Sequence, residues 1–293
     1  IVCVGAAETV ASDGLATPGT VIACEAAQVD VATLDGVIRL QGLRGFGAEA
    51  VPVAKAGTVL AGVVADPTAA LDRAMRHAAR SDGFWRTRLK GFSAARMPLL
   101  AADEAGAEFE TLDVSLPAGM TDAQCLAAVA AWALGGGVEV GSDIAVAVAS
   151  DVAAAPYLSD WVPVTLSDGT VTDVVETLHG QVTDGVRRGG FAVDIALRDQ
   201  ALPAIDAPDI AILRGAQDGP ITECAYNLRV PADGGVMALL FDASRIDSAH
   251  AARMIARLEM AAQAVIAQPE GAISALPMLS EDERAQVLTG WNE

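Results

Sequence analysis

Basic residues are scarce in this chain: 19 Lys and Arg stand against 38 Asp and Glu over 293 residues, a formal net charge of −19. Nucleic acids and anionic membrane surfaces both require clustered cationic side chains, so neither is an expected partner. The one adjacent basic pair, Arg187-Arg188, has acids on both sides. Cysteine is sparse too. Cys3, Cys24, Cys125 and Cys224 form no CxxC or CxxH pair, which argues against a structural zinc site. Their apolar surroundings fit buried free thiols in a reducing cytosol. No apolar run reaches the roughly 18 residues of a membrane span. Ile1-Val2-Cys3-Val4 opens without Met or a basic n-region, so a secretory signal is not expected and the chain reads as cut from a longer one. Ser142, Ser150 and Ser159 stand in no G-x-S-x-G context, which leaves a hydrolase elbow unsupported.

What is present is apolar. Hydrophobic residues make up 52% and charged ones 19%, the mark of a globular chain with one large core or two modest ones. In the first part Pro18-Gly19 and Asp35-Gly36 separate three β-rich runs, Thr20–Cys24, Gln28–Thr33 and Val37–Leu40. The alternation of Val29-Asp30-Val31 suits a half-buried strand. A small all-β barrel over 1–64 is the expectation. Asp66-Pro67 then opens a helical stretch whose Leu71, Met75, Ala78 and Ala79 share a face. Residues 65–92 read as a helical linker.

Isolated chemical groups have bland readings. His77 on a charged helix and His250 in the first turns of a long helix are expected at or near the surface. His179 sits near a helix end, where a cation favours the dipole. Asp173 and Glu176, three apart, read as helical surface acids rather than a glycosidase pair. Gly135-Gly136-Gly137 follows a helix instead of preceding one, so it is a C-cap and not a phosphate cradle. No catalytic, cofactor-binding or metal-binding residue is expected.

Two family resemblances add to this. Leu15–Ala23 with PGTV, then Val29–Thr33 and Asp35–Leu40, is similar to the C-terminal β-barrel subdomain of methionyl-tRNA formyltransferase-like proteins, over about 1–56. That resemblance implies an upstream formyltransferase-type domain as a partner; its catalytic residues are not in this chain. Phe84-Trp85-Arg86-Thr87-Arg88-Leu89 resembles the segment of nonribosomal peptide synthetase condensation domains that ends the N-terminal lobe. Leu279–Glu293 (LSEDERAQVLTGWNE) resembles the end of such a domain, where an adenylation domain would begin. Between them the order of elements is similar. It comprises a strand at Phe109–Leu116, a helix capped by Thr121-Asp122, a central strand at Val138–Ala149, Asp160–Val164 where the family has a strand, and helices at Thr170–Arg188 and Ser248–Gln268. In the last helix Ala252, Ile255, Leu258, Met260 and Ile266 are the apolar positions.

The resemblance, over about 84–293, implies an α+β chain: the small barrel, then a mixed-sheet α/β lobe of the CoA-dependent acyltransferase (condensation-domain) type over 93–293. The family's signature is two adjacent histidines, three spacers and Asp-Gly, and it is missing here. Leu158-Ser159-Asp160-Trp161 departs from the family pattern at the channel side of its strand. Trp85, Asp160, Trp161 and Trp291 are therefore the candidate interface residues. The implied role is a non-catalytic, cytoplasmic scaffold of antibiotic or siderophore biosynthesis, between the upstream domain and an adenylation domain. Phosphopantetheine would be carried by a partner carrier protein, with no cofactor on this chain. Alternatives are a divergent acyltransferase forming an amide bond, or a docking module for a tailoring enzyme. The last would be favoured by an exposed apolar patch in Ala201–Ile212. A half domain must also cover the sheet face its missing lobe would shield, and the barrel with the Asp66–Leu89 helix is the expected cover.

Overall fold

A computed structural model describes residues 2–11, 16–25, 28–45, 55–60, 65–98, 100–101, 107–148, 157–214, 219–230 and 236–278. The chain divides into two compact units, Ile1–Ala74 and Met75–Glu293.

The first unit holds strands β1 (Val2–Cys3), β2 (Ala6–Val10), β3 (Val21–Glu25), β4 (Gln28–Ala32), β5 (Val37–Gln41) and β6 (Arg44–Gly45). Four of them form an antiparallel sheet in the order β2-β5-β4-β3, and β1 pairs with β6 in a separate ribbon. The expected barrel is corrected here: among the described residues no sheet is closed. Closure would require β2 to pair with β3 at a consistent stagger. The start of β3 instead pairs with the 57–60 segment, through a Thr20–Val59 bridge and the Val21 N–H donated to the Thr58 carbonyl at 2.8 Å. Among the described residues the core of this sheet is Val21, Val29 and Val31, with Ile38 and Leu40 packed against them. Pleating sends Asp30 to the other face, where register sets it beside Arg39 and then Glu8. Arg39 Nε and Nη2 each donate to an Asp30 carboxylate oxygen at 2.9 Å. That bidentate pair holds the Asp30 carboxyl below its ordinary range.

Helix α1 spans Ala65–Leu89. Its inner row is Ala78, Ser81, Trp85 and Leu89, while Met75 and Ala79 from the expected face are exposed. Beyond it come β7 (Phe109–Val114), α2 (Asp122–Gly135), β8 (Asp143–Ala147), β9 (Trp161–Thr165), α3 (Val171–Arg188), α4 (Ile195–Arg198), β10 (Ile210–Arg214), β11 (Tyr226–Val230), β12 (Met237–Asp242) and α5 (Ser248–Ala267). The six strands make one mixed sheet, ordered β7-β12-β11-β10-β8-β9. Strands β8, β10 and β11 are parallel, and β9, β12 and β7 each run antiparallel to a neighbour. The expected central strand is shorter and lies one in from the edge. A turn at Gly141 (φ 91°) holds Val138–Ser142 out of the ladder, and Ala149 lies outside the described residues.

Registers fix the faces. Val162, Ile212 and Tyr226 point toward the helices, since Tyr226 meets Trp132 of α2 edge-on at 5.6 Å and Val162 abuts Gly185 of α3. Asp143, Ala145, Trp161, Thr165, Ala211 and Asn227 point the opposite way. Strand β8 is buried at all five positions, which accounts for its continuous apolar reading. The buried row of α5 is Ala251, Met254, Leu258, Ala261, Ala262 and Val265, rotated from the expected one; Ala252 and Ile266 are exposed. So many alanines leave the apolar stripe weakly marked.

Helix α2 is the middle of the helical layer, packed against both α3 and α5. It is buried from Cys125 through Ala133, and Trp132 Nε1 donates to the Met254 carbonyl of α5 at 3.0 Å. Its start is a capping box: Gln124 N–H donates to Thr121 Oγ1 at 3.3 Å and Thr121 N–H to Gln124 Oε1 at 2.9 Å. Thr121→Ala is expected to cost about 1 kcal/mol in urea unfolding, and Thr121→Asp to restore most of it.

Candidate functional site

The site is built around the start of β9. Ser159 Oγ donates to the Trp161 carbonyl at 2.7 Å and accepts from the Trp161 N–H at 3.2 Å. The Val148 N–H donates to the Asp160 carbonyl at 2.8 Å, which seats this turn against the end of β8. With the backbone pinned, strand alternation sends Trp161 inward, 7% exposed, and leaves Asp160 at the surface. Asp160 is thus exposed, while Trp161 is mostly buried and shows only an edge to a surface crevice.

Inward, Trp161 meets Phe191 edge-on at 5.3 Å and Phe92 at 5.9 Å. Phe191 continues to Trp85 at 5.9 Å, and Trp85 to Phe84 at 4.9 Å. Five of the chain's twelve aromatic residues thus form one connected cluster. Such edge-on and tilted contacts add to the burial of the rings. Trp85 is 2% exposed and belongs to the core of its own unit. Trp291 lies outside the described residues. Phe191 links the two tryptophans that the sequence singled out, and nothing local marked it. Its only signal is the preceding Gly189-Gly190, which stops α3 and turns the chain back.

Outward, a crevice of about 430 Å³ is lined by Arg96, Trp161, Ile205, Asp206, Ala207 and Glu223. Arg96 is tethered: its Nη1 donates to the Ala207 carbonyl at 2.9 Å and to Asp209 at 3.3 Å. Asp160 titrates above the ordinary carboxyl range, because the protein around it strips water and because Glu223 is close. Burial pushes the Cys125 thiol up to about 11, and Cys224 is raised further still by burial and the nearby acids. These are inert thiols. His77 and His179 are exposed, as expected, and His250 is half-buried with its pKa lowered by burial and by Arg253. None of the three lines the crevice. Asp173 and Glu176 are exposed, and Gly136 caps α2, again as expected. Among the described residues no group of His, Cys, Asp and Glu could hold a metal ion, and no helix is long and apolar enough to cross a membrane. The crevice thus offers carboxylates and one tethered guanidinium for contact, with no nucleophile–base pair.

The exposed apolar patch in Ala201–Ile212 that would have favoured a docking module is not formed, since Leu202, Ile210 and Ile212 are buried. The exposed apolar side chains lie just upstream, at Val193 and Leu197, the latter 80% exposed. The reason is the order of short elements. Ile195 anchors α4 in the core, and a one-turn helix must then turn Leu197 outward.

No family model matches the chain, and no curated protein matches it. Solved structures do. The complex of the X-domain and OxyB from teicoplanin biosynthesis aligns with a TM-score of 0.57 and 16% identity, over 86% of this chain and 72% of that one. The X-domain from teicoplanin biosynthesis gives 0.55 and 19%, over 77% and 64%. The starter condensation domain of rhizomide synthetase RzmA, a mutant with C8-CoA, gives 0.55 and 15%, over 72% and 58%. The chain spans less than two thirds of the latter two. At these identities the likeness defines a fold. It is a mixed α/β, condensation-domain-like fold, shared with domains of nonribosomal peptide synthetases.

Proposed function

We propose that this chain is a non-condensing segment of a nonribosomal peptide synthetase that holds neighbouring domains around a carrier protein. The observation that carries the reading is the start of β9. Where the family resemblance places the channel side of a strand, Trp161 is packed between Phe92 and Phe191, and the crevice it borders is lined by no histidine. The histidine that the family sets beside the attacking amine is then missing from this crevice. The chain serves as three parts, a formyltransferase-type β segment over 1–64, a helical connection over 65–92 and the condensation-like lobe over 93–293. Its neighbours are an upstream formyltransferase-type domain and a downstream adenylation domain. The working thiol is the phosphopantetheine of the carrier, in the cytoplasm.

The test is direct. The chain is mixed with aminoacyl-loaded donor and acceptor carrier proteins, and the carriers are followed by intact mass. No condensed product is expected, with retained binding to the adenylation domain. Product formation would overturn the reading and make the Asp160 face the first target of mutation.

A second reading, a docking module for a tailoring enzyme, is favoured by one observation. The X-domain structures, one of them solved as a complex with OxyB, align over more of this chain than the starter condensation domain does.

A further inference from the structure

The six-stranded sheet ends in β9 on one side and β7 on the other, and the two edges are finished differently. In β9 the even positions bond β8, since the Val148 N–H donates to the Asp160 carbonyl and the Leu166 N–H to the Ser142 carbonyl. Trp161, Pro163 and Thr165 therefore turn their backbone groups outward. Ser159 Oγ bonds both the N–H and the carbonyl of Trp161, and Pro163 has no N–H to offer. The Gln181 side-chain amide accepts from the Thr165 N–H at 2.9 Å and donates to the Thr165 carbonyl at 3.1 Å. Edge β9 is sealed against a further strand.

Edge β7 is not sealed. The Ala243 N–H donates to the Glu108 carbonyl, so the β12 ladder uses Glu110, Leu112 and Val114. Phe109, Thr111 and Asp113 turn N–H and C=O outward, and none of these groups has a partner among the described residues. The next outward N–H, that of Ser115, donates to Glu259 of α5 at 2.8 Å, and there the free stretch stops. The strand has no proline, no lysine and an unbroken register. Its charges are of one sign. Glu108, Glu110 and Asp113 are exposed, and none is in an ion pair among the described residues. Glu110 accepts only from Ser248 Oγ, at 3.3 Å. Ser248 and Glu259 mark the side of α5 next to β7, and helical spacing puts Arg253 and Arg257 on its other side. Arg229 lies two strands in from the edge and is engaged already.

We propose that β7 is a docking edge for an extended, basic segment of a partner protein, which joins the sheet as an added strand. Backbone bonds to Phe109, Thr111 and Asp113 supply the affinity. Lys or Arg side chains of the added strand meet Glu110 on one face of the sheet and Asp113 on the other. The occupant follows from this charge: a basic segment is drawn to a chain of net charge −19 and finds free backbone groups at β7. A second copy of the chain is disfavoured, because edge-to-edge pairing would bring two acidic strands together. The inference stands apart from the absence of condensing chemistry, since a condensing domain could carry the same edge.

The probe is a labelled synthetic peptide of roughly eight residues, alternating Lys and Val, read by fluorescence anisotropy at increasing salt. The whole chain is expected to bind it, more weakly as salt rises, with slowed hydrogen exchange at Thr111 and Asp113. The same peptide N-methylated along its backbone keeps its charge but cannot form a ladder, and should lose at least about tenfold in affinity. Thr111→Pro removes an outward N–H, leaves the β12 ladder whole, and should lose as much. Glu110→Lys with Asp113→Lys should also lose at least about tenfold. Both side chains are exposed, so the thermal midpoint of that variant should hold and report an intact fold. Glu176→Lys, at an exposed acid on α3, should leave binding unchanged. No binding by the wild-type chain, or equal binding of the N-methylated peptide, would overturn the proposal. So would β7 amides already protected in the peptide-free chain, with a dimer in sedimentation giving the edge to a second copy. The carrier mass assay reads condensation alone, so its outcome and this one are separable.

Discussion

Gly190→Ala is expected to destabilise the larger unit by more than about 3 kcal/mol, enough to lose soluble folded protein at moderate temperature. A Cβ built on Gly190 would sit 1.8 Å from the Ser159 carbonyl oxygen, and that neighbour is backbone, which cannot swing away. The two segments are held at this distance from both sides. Ser159 N–H donates to the Phe191 carbonyl at 2.7 Å, Val193 N–H to the Tyr157 carbonyl at 3.1 Å, and Leu158 bridges Ala192. Relief of the clash would break that ladder and withdraw Phe191 from between Trp85 and Trp161. Two neighbouring glycines make the comparison sharp. Gly189 ends α3 at φ 71° and ψ −179°, a conformation essentially restricted to glycine, so Gly189→Ala should cost about 1–3 kcal/mol through backbone strain alone. Gly180 lies inside α3, exposed, with open space around its Cβ position. Gly180→Ala should therefore stabilise by about 0.5–1 kcal/mol. Urea midpoints on the three variants check the order. If Gly190→Ala proves no worse than Gly189→Ala, the close approach is not where the structure puts it.

Much of the fold was legible because its signals are local. Strands β3, β4 and β5 stand where alternation and turn pairs placed them, and the caps at Thr121 and at Gly135-Gly136-Gly137 follow from residue chemistry alone. Closure of the first sheet was not legible. It depends on Thr20 finding Val59 instead of β3 finding β2, a choice no local pattern encodes. Helix faces were misjudged where alanine dilutes the stripe. Along α1 the small residues Ala78 and Ser81 are buried and Met75 is not, because Trp85 and Leu89 decide which way the helix turns.

The candidate site was legible in its residues and not in its geometry. Asp160 and Trp161 stood out as departures from a resemblance, yet which of them faces the interior depends on the pairing of β9 with β8. The remaining parts of the site are distant in sequence. Phe92 and Arg96 come to Trp161 from the connection between α1 and β7, which backbone bonds of Ser93 and Ala95 tie to Asp143, and Glu223 comes from the connection between β10 and β11.

The residue that does most of this placing is Asp143, which no motif marked. It is wholly buried at the first position of β8. Its Oδ1 accepts from Arg88 Nη2 and from Thr165 Oγ1 at 2.7 Å, and its Oδ2 accepts from the Ser93 N–H at 3.1 Å. These partners lie 55, 22 and 50 residues away. One carboxylate therefore ties the end of α1, the end of the edge strand β9 and the 92–97 segment that delivers Phe92 and Arg96. Removing one partner of a buried, hydrogen-bonded ion pair leaves the other uncompensated. Asp143→Ala is expected to cost about 3–5 kcal/mol in urea unfolding. Arg88→Ala should cost a comparable amount, since it leaves the wholly buried Asp143 carboxylate without its counter-charge and with only Thr165 and Ser93 as donors. The double variant should lose clearly less than the two single losses together, because both act on one network. Additive losses would mean the pair is not coupled. Because Phe92 packs on Trp161, Asp143→Ala in its folded state should also alter tryptophan fluorescence, which a purely local loss at the strand end would leave unchanged.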